Sequence, residues 1–147
     1  MFLEYTPIYK SKLLEVFKEN IPEFFAIHEL KEFEDYLEIH FENYFVIEEK
    51  DIIIGGFGYE LREDDKSGRI NWIFIHPSFK GKGYGKEAVL FCINKLKNNS
   101  SIQKLVVRTS QFAYPFFKNL GYQLIKIEKN YWAKGLDLYL MEQNLNN

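Results

Sequence analysis

Apolar residues recur along the chain with two alternating periods, and the switches between them divide it into elements. Phe2 to Tyr5 reads as a short strand. Thr6-Pro7 then opens a helix that carries Leu13, Leu14, Val16 and Phe17 on one face and stops near Asn20, before Ile21-Pro22. A second helix, Glu29 to His40, places Leu30, Phe33 and Leu37 at helical spacing, continued by Phe41; Glu32, Glu34, Asp35 and Glu38 form its solvated face. Tyr44 to Glu48 and Ile52 to Leu61 are β-rich runs around Lys50-Asp51 and predict a hairpin, with a bulge at Gly55-Gly56. Asp64 to Gly68 reads as a turn, and Arg69 to His76 as a strand. Lys86 to Asn98 predicts a helix burying Val89, Leu90, Ile93 and Leu96. Lys104 to Thr109 follows as a strand and Phe112 to Leu120 as a short helix, with Pro115 in its first turn and Gly121 as its stop. Tyr122 to Lys129 and Leu136 to Glu142 are the last strands, separated by a loop carrying Tyr131-Trp132. Antiparallel strands followed by strand-helix-strand-helix predict one mixed, twisted α/β sheet with helices against it.

The segment from Ile75 to Val89 carries the strongest chemical signal. A strand stops at Pro77, the run Lys80-Gly81-Lys82-Gly83-Tyr84-Gly85-Lys86 follows, and a helix begins. Such a turn leaves unpaired N–H groups at the positive end of a helix dipole, an arrangement that holds phosphate. Glycines let the loop take positive φ and let the ligand reach the main chain. Lys80, Lys82 and Lys86 add positive charge. Two nucleotide loops do not fit. A Walker A loop ending at Gly85-Lys86 would need a Gly where Lys80 stands and a hydroxyl where Glu87 stands. A dinucleotide fingerprint begun at Gly81 meets Lys86 at its third glycine, and one begun at Gly83 meets Ala88 with no early βαβ unit around it.

The pattern of a basic residue, Gly, any, Gly, any, Gly after an apolar strand resembles the acetyl-CoA loop of the GNAT N-acetyltransferase superfamily. Lys80 departs from the Gln or Arg usual there. A second segment, Ser110 to Tyr122, resembles the family's late helix, which ends aromatic-aromatic-x-x-x-Gly-aromatic. The resemblance covers most of the chain from Tyr44 onward. It implies a mostly antiparallel sheet of about seven strands and about four helices, splayed beside the strand that leads into the loop. It also implies acetyl-CoA as co-substrate, its arm along the backbone of Ile73, Phe74 and Ile75. Lys80, Gly81, Lys82, Gly83, Tyr84, Gly85 and Lys86 would hold the pyrophosphate, with Ser110 and Phe117 beside the cofactor.

Acyl transfer to an amine needs a deprotonated amine, a polarised carbonyl and a proton for the departing thiolate. The family phenol falls at Phe117, which has no hydroxyl. Tyr114, one turn earlier, is the candidate acid; the plainer reading is an aromatic packed beside CoA or in the core, and water could protonate the thiolate instead. The strand position where relatives carry a carboxylate is Asn71, which orients but takes no proton. Glu60 is the candidate base, with Glu23 and Glu29 as alternatives, and His76 reads as a loop residue. Glu23, Phe24, Phe25, Asn71, Trp72 and Tyr131 form the expected acceptor pocket, an aromatic-walled site for a small amine or a peptide amine.

Bulk properties narrow the rest. A chain of 147 residues with 46% apolar content can bury a single core, so one domain over residues 1–147 is expected. A net charge of −2 argues against nucleic acid as partner. No segment is apolar enough to span a bilayer and no leader is evident, so a cytoplasmic protein, monomer or homodimer, is the expectation. The single Cys92 sits on an apolar helix face and reads as core. The histidines His28, His40 and His76 lie at no ligand spacing, so no metal is expected. A CoA-binding sensor without catalysis is the rival reading, supported by Phe117 and Asn71. A nucleotide-binding domain is the third.

Overall fold

A computed structural model describes residues 1–145. The strands are β1 (Phe2–Glu4), β2 (Tyr44–Glu49), β3 (Ile52–Arg62), β4 (Ser67–Ile75), β5 (Lys104–Thr109), β6 (Gln123–Ala133) and β7 (Leu136–Asn144). The helices are α1 (Lys10–Lys18), α2 (Glu29–Ile39), α3 (Tyr84–Lys97) and α4 (Tyr114–Asn119). The strands form one seven-stranded sheet in the order β1-β2-β3-β4-β5-β7-β6. This is the mixed, mostly antiparallel α/β arrangement expected. Among the described residues no helix is long and apolar enough to cross a membrane.

Two apolar layers grip the sheet. On one face, Val89, Cys92, Ile93 and Leu96 of α3 pack with Leu105, Val107, Phe117 and Met141. On the other, Leu13, Val16 and Phe17 of α1 and Phe33 and Leu37 of α2 pack with Tyr44, Val46 and Phe74. Burial pushes the Cys92 thiol up to about 12, so it stays protonated among its apolar neighbours. Leu90, expected in this core, is instead 47% exposed. The helix already turns Val89, Ile93 and Leu96 inward, and Leu90 falls about 100° from Val89, toward solvent.

The one parallel pair creates the site. β4 meets β5 only at Ser67↔Lys104, Gly68↔Leu105 and Arg69↔Val106, and beyond Arg69 the two strands part. A second irregularity lies on β4 itself. Gly56 pairs with Phe74 and Gly58 with Asn71, so Trp72 and Ile73 together face the single residue Phe57. Trp72 takes the left-handed conformation, φ 47°. The extra residue shifts the pleat, so Asn71, Trp72 and Phe74 share the α1/α2 side of the sheet while Ile73 and Ile75 pack toward α3. The buried Tyr44 hydroxyl donates to the Trp72 carbonyl at 2.7 Å and pins the bulge. Gly56 makes room for that phenol, since a Cβ there would lie 2.5 Å from its oxygen. β3 has its own bulge against β2, between Ile47↔Gly55 and Glu48↔Ile53, beside the glycines that predicted one.

The last hairpin differs from expectation. Tyr131 and Trp132 belong to β6 rather than to a loop, in a wide bulge where the residues from Lys129 to Trp132 face only Asp137. Asn130, at φ 56°, closes it: its N–H donates to Asp137 Oδ1 at 2.8 Å, and its own Oδ1 accepts from Gly135 N at 2.7 Å.

Candidate functional site

The gap between β4 and β5 is a cleft of about 820 Å3. One end is built by the glycine loop. Gly81 and Gly83 have φ of 78° and 93°, and a Cβ at either would meet nothing within 4 Å. Packing therefore does not require glycine at these two positions; backbone conformation and open access to the main chain do. Gly83 is the N-cap of α3, whose first-turn N–H groups face outward without helical acceptors. Together with the lysines, this cradle fits a pyrophosphate.

Lys80 stands at that end with its amine 3.2 Å from the centre of the Phe24 ring. Burial lowers its pKa to about 8, partly offset by Glu23. An arriving phosphate favours the charged form, so CoA binding should take up a proton and weaken as pH rises through about 8. Lys80→Ala is expected to weaken CoA by about 1 kcal/mol, less at high salt, and to flatten this pH dependence. Calorimetric titration at pH 7 and pH 9 in two ionic strengths checks it; binding unmoved by the substitution at both pH values would make Lys80 an ordinary surface residue.

Of the expected cofactor contacts, Ile73, Phe74, Ile75, Lys80, Gly81, Gly83, Tyr84, Gly85, Lys86, Ser110 and Phe117 line the cleft, while Lys82 does not and lies 5.2 Å from the Phe79 ring. Phe117 is 1% exposed, edge-on to Tyr122 at 5.5 Å. Tyr114 does not line the cleft: at the first residue of α4 it turns toward β7, its ring 5.4 Å from Tyr139. The three-residue offset from Phe117 rotates it about 60° around so short a helix.

The opposite end lies on the α1/α2 side of the sheet. Phe25, Asn71 and Trp72 line it as expected, while the expected Phe24 lines the cleft beside Lys80; Glu60 also lines it and pairs with Arg62 at 3.3 Å. Glu23 and Tyr131 are not in the lining. Glu29 is, and sequence left it only as an alternative. Its side chain folds back over the first turn of α2, where Oε2 accepts from Ala26 N at 2.8 Å, and the residue is 5% exposed. Burial raises its pKa, partly offset by that hydrogen bond.

Several lining residues carried no sequence signal. Asn20 holds the α1–α2 loop: its carbonyl accepts from Phe24 N and Phe25 N at 2.9 and 3.2 Å, and its Nδ2 donates to Val16 O at 3.2 Å. Its Oδ1 is buried without a partner. Arg108 also lines this end; its Nη2 donates to the Tyr131 hydroxyl at 2.7 Å, and its guanidinium lies 5.5 Å from the Trp132 ring. The clue to Arg108 was a charged residue directly after the apolar run Leu105-Val106-Val107. Trp132 joins the lining because its bulge brings it back over β5, where Nε1 donates to Thr109 O at 3.1 Å.

A clasp crosses this end. His28 sits 2.6 Å from Glu32 through Nδ1 and 2.7 Å from the Trp132 carbonyl through Nε2, which ties α2 to β6. The Trp132 carbonyl and then Glu32 raise the histidine pKa, so the ring carries a proton more readily than usual. Glu32 is thus a carboxylate partner one helical turn from His28 that the histidine spacings had not revealed. Among the described residues no group of His, Cys, Asp and Glu could hold a metal ion.

The acetyltransferase (GNAT) family model matches residues 11–122. The chain is similar in structure to an aminoglycoside 6'-N-acetyltransferase complexed with coenzyme A, at TM-score 0.77 and 13% identity over 100% of this chain and 98% of that one. It is similar to an N-acetyltransferase from Staphylococcus aureus Mu50, at TM-score 0.77 and 16% identity over 99% and 98% of the two chains. A ribosomal-protein-alanine N-acetyltransferase from Brucella melitensis gives TM-score 0.74 and 15% identity over 99% of each chain. No curated protein sequence matches the chain.

Proposed function

Because the chain belongs to the GNAT family of acetyltransferases, we propose that it moves the acetyl group of acetyl-CoA to an amine by direct attack in a ternary complex. One observation carries this reading: a single cleft joins the phosphate cradle at α3 to a pocket that holds a buried carboxylate, with the open edge of β4 between them. Acetyl-CoA supplies the thioester. The first turn of α3 and Lys80 hold its phosphates, and the unpaired edge of Ile73 to Ile75 guides its arm as an added strand would.

At the other end, Glu29 takes the proton that the attacking amine must lose. We place this role on Glu29 rather than Glu60 because Glu60 is already neutralised by Arg62, whereas Glu29 is buried and has a raised pKa. Asn71, held by Tyr36, orients the amine. The new C–N bond forms as the C–S bond breaks, and the sulfur leaves as thiolate. Cys92 takes no part, being buried with its pKa pushed up to about 12.

With Tyr114 turned toward Tyr139, the thiolate leaves without a phenolic acid. Tyr114→Phe is therefore expected to change kcat less than twofold or so, against the roughly 10²-fold loss typical of removing a general acid. Steady-state rates at saturating acetyl-CoA decide between them. Thiol release with a panel of amines tests the function as a whole. CoA binding without amine-dependent release would favour a sensor, a reading that Phe117 and Asn71 support by standing where relatives carry catalytic groups.

A further inference from the structure

Away from the glycine loop, four of the charged side chains that line the cleft are held in ion pairs and, among the described residues, two are not. The six are Glu29, Glu32, Glu60, Arg62, Arg69 and Arg108. Glu60 pairs with Arg62 at 3.3 Å, Arg69 with Asp65 at 2.7 Å, and Glu32 with His28 at 2.6 Å. Among the described residues Glu29 and Arg108 have no ion-pair partner, and they carry opposite charge.

Each is built as a receptor. Glu29 is buried with one backbone hydrogen bond, and the orphaned Oδ1 of Asn20 stands at the other end of the same loop. The Glu29 carboxylate is an acceptor that calls for N–H donors, as an amine or ammonium supplies. Arg108 is the reverse. One N–H is spent on the Tyr131 hydroxyl, and the guanidinium carbon lies 5.2 and 5.5 Å from the Tyr131 and Trp132 ring centres, which leaves other donors that suit a carboxylate. Glu29 and Arg108 line the same cleft, and the His28 contact to the Trp132 carbonyl ties the helix that carries Glu29 to the strand that supports Arg108. Phe25 and Trp72, stacked at 18° and 6.3 Å, wall it with apolar surface.

We propose that the acceptor is an amino acid: its amine is received by Glu29, its carboxylate by Arg108, and its apolar portion by Phe25 and Trp72. A neutral or purely cationic amine would leave Arg108 uncompensated. The inference rests on the acetyl-transfer reading and names the substrate class of that site.

The test compares acceptors that differ only in the anionic group: phenylalanine against phenethylamine and phenylalanine methyl ester, and 6-aminohexanoate against hexylamine. The expected result is a preference in kcat/KM of about tenfold or more for the carboxylate member of at least one set, the penalty for leaving a built polar receptor unpaired. Arg108→Gln should collapse that preference and Arg108→Lys should restore part of it, while a CoA-induced thermal shift shows that each variant is folded. Two results overturn the proposal and leave acetyl transfer standing: amines without a carboxylate acetylated as well as their partners in both sets, or a preference that survives Arg108→Gln. Thiol release with other amines of the panel but with none of these compounds also overturns the proposal alone, and no amine-dependent release from any amine overturns both readings.

Discussion

Gly83→Val is expected to abolish the stabilisation of the protein by CoA and to lower acetyl transfer by at least about 10²-fold. The residue sits at φ 93° as the N-cap of α3. A β-branched side chain there adopts a conformation that costs about 1–3 kcal/mol, so the folded protein should melt earlier. Nothing of the protein lies within 4 Å of the added Cβ, so the valine does not disturb the core. It projects into the space where phosphate oxygens would approach the first-turn N–H groups. Ligand at a hundred times its Kd stabilises a fold by about 2.7 kcal/mol, a shift easily read in a melting curve. Gly135→Val supplies the comparison. Gly135 has φ 80° and equally open surroundings, but it lies in the turn between β6 and β7, outside the cleft lining. Both variants should lose stability through strain, and only Gly83→Val should lose its response to CoA. If Gly83→Val keeps the wild-type shift, the loop does not hold the cofactor.

These contrasts show what a sequence discloses and what it hides. The glycine loop was legible because its requirement is local: positive φ and bare backbone at Gly81 and Gly83, two positions apart, leave glycine as the residue of choice. The sheet and its two apolar layers were legible from the periods of Val89, Ile93 and Leu96 against Phe33 and Leu37. The far end of the cleft was not, since it is assembled from residues distant in the chain. Asn20 acts through the hydrogen bonds that hold the α1–α2 loop. Arg108 matters because, among the described residues, Glu32, Glu60, Arg62 and Arg69 in the same lining find ion-pair partners and it does not, which no single segment reveals. Trp72 takes a left-handed φ that tryptophan rarely adopts, and only the Tyr44 hydroxyl, received at its carbonyl from a strand away, accounts for it. Tyr114 misled for the opposite reason. Helical spacing placed it beside Phe117, but a helix that begins at that very residue aims it across to Tyr139.

Glu29→Gln is expected to lower kcat about 10²–10³-fold, the scale for losing a positioned base, with CoA binding unchanged. The amide matches the carboxyl in shape and can still accept from Ala26 N, so the loop should hold. The pH profile carries the distinction. A base must be ionised, and burial holds this carboxyl above the ordinary glutamate value of about 4.3. The lower limb of the wild-type kcat profile should therefore fall above that value and vanish in the variant, leaving only the limb set by the acceptor amine. Stability should move the other way. A carboxyl with a raised folded pKa binds its proton more tightly in the fold, so the stability it contributes is present below the unfolded pKa and is lost as pH rises through the folded one. The amide of the variant carries no such cost, so Glu29→Gln should gain on wild type in melting temperature between pH 4 and pH 8. A slow variant that melts early and no longer responds to CoA would indicate damaged packing. Wild-type kcat in Glu29→Gln would pass the proton to Glu60 or to water, and Glu60→Gln measured alongside separates those two.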